Sequence, residues 1–147
     1  MQDVNIYIET SHRGPIRRDG IYMYVLEYIR GGVPFTREGG GNLQKASENQ
    51  LALAALVSAL GRIRCACELH IYTECDYITS TLNNAWIRDW SKAGWKTAKG
   101  AEVKNKELWE RAAGELDKHL YKVIPGPHQY TAWMRQELER AKAIRNE

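Results

Sequence analysis

The stretch ELHIYTECDYI, residues 68–78, passes from a strand pattern to a helical pattern within a few positions. Its first part, 68–73, is rich in residues that favour β-strands, and a helix is predicted to begin at about Asp76. Glu74 therefore stands at the carboxyl end of a strand, directly before a helix.

Three strand-like segments precede this stretch, and they predict an antiparallel meander because short connections join them. The third segment contains Pro34, which cannot donate to a central ladder, so it is predicted to be a short edge strand. Three consecutive glycines, 39–41, are predicted to end it. The three segments are residues 4–9, 21–30 and 33–38, with a loop over 10–20.

Helices are predicted on both sides of this stretch along the chain. Ser47 and Gln50 have the spacing of a capping box, which begins a helix that runs to about Gly61. Further helical segments follow from about 76, around 108–116 and around 133–141, with a fifth strand at 120–124. A meander followed by strand–helix crossovers predicts an α/β fold, with a mixed five-stranded sheet and helices on both faces.

The overall composition is that of a globular protein. The chain has 147 residues, of which 44% are hydrophobic and 27% charged, so a disordered chain is excluded. We predict one domain over residues 1–147. No apolar run reaches the roughly 18 residues of a membrane-spanning helix. The three cysteines lack a zinc spacing and the N-terminus does not resemble a signal peptide, so a cytoplasmic protein with reduced thiols is expected.

Two segments of the chain together carry a family resemblance. IYTECDYI, residues 71–78, is followed by AWIRDWSKAGWKTAKGAEVKNKELWERA, residues 85–112, in which tryptophans alternate with basic residues. With the order of elements, this pair resembles ribonuclease H of the bacterial type. The run GWKTAKG…VKNKELW within 94–109 is the most specific part, and the resemblance covers nearly the whole chain.

The resemblance implies metal-dependent cleavage of the RNA strand of RNA–DNA hybrids, with two Mg²⁺ ions held by four carboxylates. It also implies that the first and fourth strands lie side by side and parallel, so that Glu9 and Glu74 meet at their ends. Two carboxylates at one place repel each other unless they share a cation, so we expect them to bind Mg²⁺ or Mn²⁺. The alternative is a pair of solvated acids without a ligand.

The carboxylate set departs from the family pattern. The family's aspartates at the two strand ends are replaced by Glu9 and Glu74, and alignment puts Leu51 and Gln136 where the other two acids stand. Two missing anions remove charge that would hold the metals, and misplacing a reacting group by about 1 Å can cost about 10²-fold in rate. Cleavage is therefore expected to be weakened or lost.

Three nearby residues are further catalytic candidates. Glu48 and Glu137 lie close in sequence to the departed positions, but neighbouring helical residues point about 100° apart. They would contribute only if the alignment were shifted or the first helix began differently. His128 precedes the last helix, where the family often has a histidine thought to aid proton transfer or product release. A surface histidine without a role is the alternative.

Basic and aromatic side chains predict a nucleic-acid-binding surface around this site. Aromatic rings can stack on sugars or bases while the cations neutralise phosphates. At least one of the tryptophans is expected to pack a helix onto the sheet instead. The candidates are Arg13, Arg17 and Arg18 in the first loop, and Trp86, Trp90, Lys92, Trp95, Lys96 and Lys99 in the tryptophan-rich segment.

Three functions remain open from the sequence. The first is a ribonuclease H-like protein that binds RNA–DNA hybrid or duplex and cleaves it weakly with Mg²⁺ or Mn²⁺. The second is a non-catalytic paralogue that binds hybrid or duplex, or serves as a protein-interaction module. The third is a nuclease of the wider superfamily with another substrate. The missing carboxylates favour the second, whereas the acids kept at both strand ends favour the first.

Overall fold

The computed structural model describes residues 1–145, which form five strands and five helices. The strands are β1 (Gln2–Thr10), β2 (Arg18–Arg30), β3 (Val33–Ala46), β4 (Cys67–Thr73) and β5 (Leu120–Pro125). The helices are α1 (Glu48–Leu60), α2 (Asp76–Asn83), α3 (Trp86–Lys92), α4 (Lys106–Leu116) and α5 (Thr131–Arg145). Among these described residues, no helix has the length and apolar character needed to cross a membrane.

The five strands form one mixed sheet in the order β3-β2-β1-β4-β5. β1 pairs antiparallel with β2 and parallel with β4, and β4 pairs parallel with β5. Tyr7 is opposite Tyr72 in the β1–β4 pair, so the residues two positions further along each strand, Glu9 and Glu74, stand at neighbouring carboxyl ends. The predicted α/β fold with a mixed five-stranded sheet is confirmed.

Helices cover both faces of the sheet, as predicted. One face carries the main core, in which strand residues such as Ile6 and Ile71 pack with Leu53 and Leu56 of α1. Each such fully buried side chain stabilises the fold by about 1.5–3 kcal/mol relative to an exposed one. On the other face, α5 contributes the buried Met134 to a much smaller apolar cluster. That second face is therefore left with room for polar groups.

The third strand is longer than the sequence suggested. β3 has 14 residues and runs through the three glycines that were predicted to end it, so that prediction was wrong. The glycines lie over the side chains of Tyr22 and Tyr24, where a Cβ atom on Gly39 or Gly41 would collide with the tyrosine rings. Glycine within a strand marks such a close approach, and here it lets the strand continue.

Candidate functional site

The acids at the ends of β1 and β4 converge on one point. Nη2 of Arg13 lies 3.8 Å from Oε1 of Glu9, and the same nitrogen donates a hydrogen bond to Oε2 of Glu74. Because one atom contacts both carboxylates, they face a common space. The pairing of β1 with β4 fixes this arrangement, since it brings the two carboxyl ends side by side.

A third carboxylate comes from the start of α1. Glu48 lines the same small cleft as Glu9 and Glu74, and its Oε1 accepts a hydrogen bond of 3.0 Å from the backbone N–H of Gly14. Ser47 and Gln50 form the predicted capping box, so α1 begins at Glu48. Ala52, one turn later, also lines the cleft.

Leu51, the residue that the alignment placed at the ligand position, does not line the cleft. Leu51 is fully buried. Neighbouring helical residues point about 100° apart, so Leu51 and Ala52 do not both face the cleft. Glu48 and Ala52 therefore share the cleft side of α1, and Leu51 turns into the core.

The last helix presents a cation to this cleft instead of an acid. Nε of Arg135 lies 3.5 Å from Oε1 of Glu9, and its Nη2 lies 2.7 Å from Oε2 of Glu74. Gln136, the aligned position, is exposed. Sequence reasoning missed Arg135, although a shift of one residue in the phase of α5 would have found it.

The structure does not bring Glu137 to the other candidate acids. Its carboxylate lies 3.3 Å from Nη1 of Arg140. It lines a separate groove beside Tyr22 and Met23 of β2. Two residues along a helix change the direction of a side chain by about 200°, which explains why Arg135 and Glu137 face different surroundings.

His128 is part of the site rather than a surface histidine. Its Nε2 lies 3.0 Å from Oε2 of Glu9, and both side chains are only 1% exposed. Nδ1 accepts a hydrogen bond of 3.1 Å from the backbone N–H of Tyr130. This contact assigns the ring proton to Nε2, which then donates to Glu9. The ring centroid lies 4.8 Å from that of Tyr7, which holds the imidazole against the sheet.

A buried acid that the sequence analysis overlooked supports the His128 loop. Glu27, only 3% exposed, accepts hydrogen bonds from Tyr7, Gln129 and the Tyr130 hydroxyl. The contact with Glu27, together with burial, raises the pKa of Tyr130 to about 12. A glutamate inside the otherwise apolar run YVLEYI was the available signal. The network ties the residues after His128 to β1 and β2.

Electrostatics favour the ionised form of Glu74. Burial opposes the charged form of Glu74, but the hydrogen bond and charge of Arg13, with the charge of Arg135, lower the pKa of this carboxyl below its ordinary value. The free volume among the cleft residues is about 10 Å³. That is room for one water molecule at most. Arg13 lines this small space, and Arg135 contacts Glu9 and Glu74 from α5.

The cleft carboxylates are not gathered at metal-ligand spacing. Over residues 1–145, one group of three histidine or acidic side chains has ligand atoms within 4.8 Å of one another, namely Asp3, Glu68 and His70. That group lies at the opposite ends of β1 and β4, and its two acids are exposed. Three oxygens of Glu9, Glu48 and Glu74 would have to approach one another to share an ion.

Comparison with known proteins identifies the family. The sequence model of the RNase H family matches residues 1–125. The chain belongs to the RNase H family. Ribonuclease H of Clostridium botulinum is 32% identical over 124 residues, which are 84% of this chain and 82% of that protein. Ribonuclease H of Lachnoclostridium phytofermentans is 32% identical over 117 residues, 79% of this chain and 74% of that one.

Solved structures share the RNase H fold. The crystal structure of LC9-RNase H1, described as a type 1 RNase H with the type 2 active-site motif, has a TM-score of 0.71 at 22% identity and covers 95% of this chain and 70% of that one. RNase H1 from the halophilic archaeon Halobacterium salinarum has a TM-score of 0.57 at 18% identity, with 99% of each chain covered. At these identities the likeness concerns the fold alone.

The predicted binding residues of this RNase H-family chain divide into exposed and packed ones. Trp86 is 44% exposed, whereas Trp90 and Trp95 pack against the main core. The backbone of Trp95 pairs with Trp90 and Val103, so the protrusion folds back on itself. The basic candidates, Arg13, Arg17, Arg18, Lys92, Lys96 and Lys99, are all exposed. Cations, more than aromatic rings, are thus available on this surface.

Proposed function

We propose that this protein cleaves the RNA strand of RNA–DNA hybrids in a metal-dependent reaction, at a lower rate than RNase H proteins with four acidic ligands. The observation that carries the proposal is that Glu9, Glu48 and Glu74 line one cleft beside the carboxyl ends of β1 and β4. The family membership of the chain supports the substrate class.

The chemistry of the donors fits a hard divalent ion. Mg²⁺ and Mn²⁺ prefer carboxylate oxygens, and three such groups face the cleft. Glu9 and Glu74 would hold the ion, with Glu48 as the third ligand. A bound ion would polarise the phosphate and lower the pKa of an attacking water.

The other residues would position substrate and protons. His128, buried against Glu9, holds one proton at Nε2 and orients this carboxylate. Arg13 and Arg135 are suited to bind the phosphate next to the scissile bond, because a guanidinium matches phosphate geometry with two hydrogen bonds. Lys96 and Lys99 on the protrusion would neutralise phosphates of the other strand.

The reduced rate follows from the ligand set. Three carboxylates replace four, each strand-end aspartate is lengthened to glutamate, and Arg135 stands where the last helix would supply an acid. A displacement of about 1 Å can cost about 10²-fold. The type 1 RNase H described with a type 2 active-site motif supports the idea that this fold accepts changed active-site residues.

A non-catalytic hybrid-binding protein is the second candidate. It is favoured by the two guanidiniums that pair with Glu74, since a site with permanently neutralised carboxylates would bind nucleic acid without cutting it. The two candidates differ in one measurable outcome, which is whether metal-dependent strand scission that requires Glu9 takes place.

The test is gel cleavage of a labelled RNA–DNA hybrid over a series of Mg²⁺ and Mn²⁺ concentrations. We expect scission of the RNA strand by the wild type, best in Mn²⁺, and its loss in Glu9→Gln. Glu137→Gln is the matched control, because Glu137 faces a different groove. Binding of the hybrid without metal-dependent scission at any concentration would support the second candidate and contradict the first.

A further inference from the structure

Arg13 and Arg135 both contact the two strand-end acids of the carboxylate cleft. Both donate to Oε2 of Glu74, and both lie within 4 Å of Oε1 of Glu9. They come from different elements, the first loop and α5, and meet at the same two acids. We name this pair of arginines the arginine clamp. Its contacts use the oxygens through which a divalent ion would be bound.

A guanidinium and a divalent ion cannot bind the same carboxylate oxygens at once. Metal–oxygen distances are about 2.0–2.6 Å, which leaves no space for a hydrogen-bonded nitrogen on the same side. The cleft holds about 10 Å³ of free volume while the clamp is closed. Opening the clamp would return two negative charges to the cleft, and both would attract a cation.

The two arginine side chains of the clamp can move to another position. Their side chains are 46% and 53% exposed, so neither is locked by packing. Both also line an adjoining groove of about 340 Å³, together with Thr10, Ser11 and His12. That groove is free of Glu9 and Glu74, so a side chain turned into it releases both acids.

We propose that the arginine clamp keeps metal out of the free protein and opens when phosphates of the nucleic acid take over its guanidiniums. Arginine binds phosphate through two parallel hydrogen bonds, as it binds a carboxylate, so the exchange preserves its contacts. Substrate binding would then uncover Glu9 and Glu74 for the ion. The proposal rests on the proposed function, because it assigns these acids to a metal.

The consequence is positive coupling between metal and nucleic acid. If bound hybrid raises the affinity for the metal by some factor, the metal raises the affinity for the hybrid by the same factor. Coupling between binding sites is typically about 5–150-fold. We expect the increase in metal affinity caused by bound hybrid to be much smaller when both arginines are removed.

The test measures binding of Mn²⁺ alone to the whole chain by electron paramagnetic resonance, which detects the free ion. The double variant Arg13→Ala/Arg135→Ala is expected to bind Mn²⁺ at least about tenfold more tightly than the wild type. Each single variant should give an intermediate increase, which covers the case that the double variant fails to fold. Arg111→Ala/Arg140→Ala removes the same charge from exposed positions that contact neither Glu9 nor Glu74, and should leave the affinity unchanged within about twofold.

A second arm repeats the titration with an RNA–DNA hybrid whose RNA strand is 2′-O-methylated, so that it cannot be cut. The hybrid should raise the Mn²⁺ affinity of the wild type more than that of the double variant. Equal Mn²⁺ affinity in the wild type and the variants, lost in Glu9→Gln, would overturn the clamp and leave the proposed function intact. Absence of any Glu9-dependent Mn²⁺ site, with or without hybrid, would overturn both.

Discussion

Replacing the buried Glu27 with alanine is expected to lower the free energy of unfolding by about 3–5 kcal/mol, because several donors, one of them fully buried, lose their acceptor. The Glu27 carboxylate accepts hydrogen bonds of 2.9 Å from Asn5, 3.2 Å from the Tyr7 hydroxyl and 3.3 Å from Gln129, and a further one from Tyr130. Each buried donor left without a partner costs about 1–3 kcal/mol. Asn5, Gln129 and Tyr130 can regain part of this from water, because none of them is fully buried.

The measurement is urea unfolding of the variant and the wild type, with the thermal midpoint as a second readout. For a chain of this size, about 1 kcal/mol shifts the midpoint by roughly 2–4 °C, so a fall of about 10 °C is expected. Glu38→Ala is the matched control, because Glu38 is exposed on β3 and should change stability by less than about 0.5 kcal/mol. A destabilisation by Glu27→Ala no larger than that by Glu38→Ala would refute the assigned network.

The same structure makes three shorter predictions. Leu51→Glu should lower the free energy of unfolding by several kcal/mol without restoring cleavage, because Leu51 is fully buried. Urea unfolding measures the stability and the hybrid cleavage assay measures the rate. A faster cleavage by this variant would contradict the prediction. Lys96→Ala/Lys99→Ala should weaken the salt dependence of hybrid binding. The slope of log affinity against log salt concentration should become shallower by about one unit for every phosphate that the two lysines neutralise. An unchanged slope would show that these lysines do not contact the nucleic acid. The pKa of Tyr130 is raised from 10.0 to about 12, so its stabilising contribution is present below pH 10 and disappears as the pH rises towards 12. Tyr130→Phe should flatten that part of the fall in unfolding free energy, measured by urea unfolding across this range.

The sequence predicted those features that depend on local pattern. The order of strands and helices, the capping box at Ser47 and Gln50, and the carboxylates at the ends of β1 and β4 all follow from residues near one another in the chain. The continuation of β3 through the glycines at 39–41 could not be predicted in this way, because it depends on Tyr22 and Tyr24 across the strand pair. A strand that passes over bulky rings requires glycine, and the local pattern alone reads as a break.

The candidate site was only partly predictable for a similar reason. Glu9 and Glu74 are fixed by strand ends, whereas the cleft side of α1 depends on the residue at which the helix begins. One residue of phase changes the direction of a helical side chain by about 100°, which separates Ala52 from Leu51 on α1 and Arg135 from Gln136 on α5. The burial of His128 against Glu9 depends on a contact between residues 119 positions apart.

The most direct test of the central claim is the single-turnover rate of hybrid cleavage in Mn²⁺ by the wild type and by Glu48→Gln. The account predicts measurable scission by the wild type and a rate at least about 100-fold lower for the variant, since even the partners of metal ligands are worth about 10–100-fold. Glu48 is chosen because it lines the cleft, whereas Leu51, the residue that the sequence alignment placed there, is buried. Equal rates for the two proteins would contradict a catalytic site built from Glu9, Glu48 and Glu74.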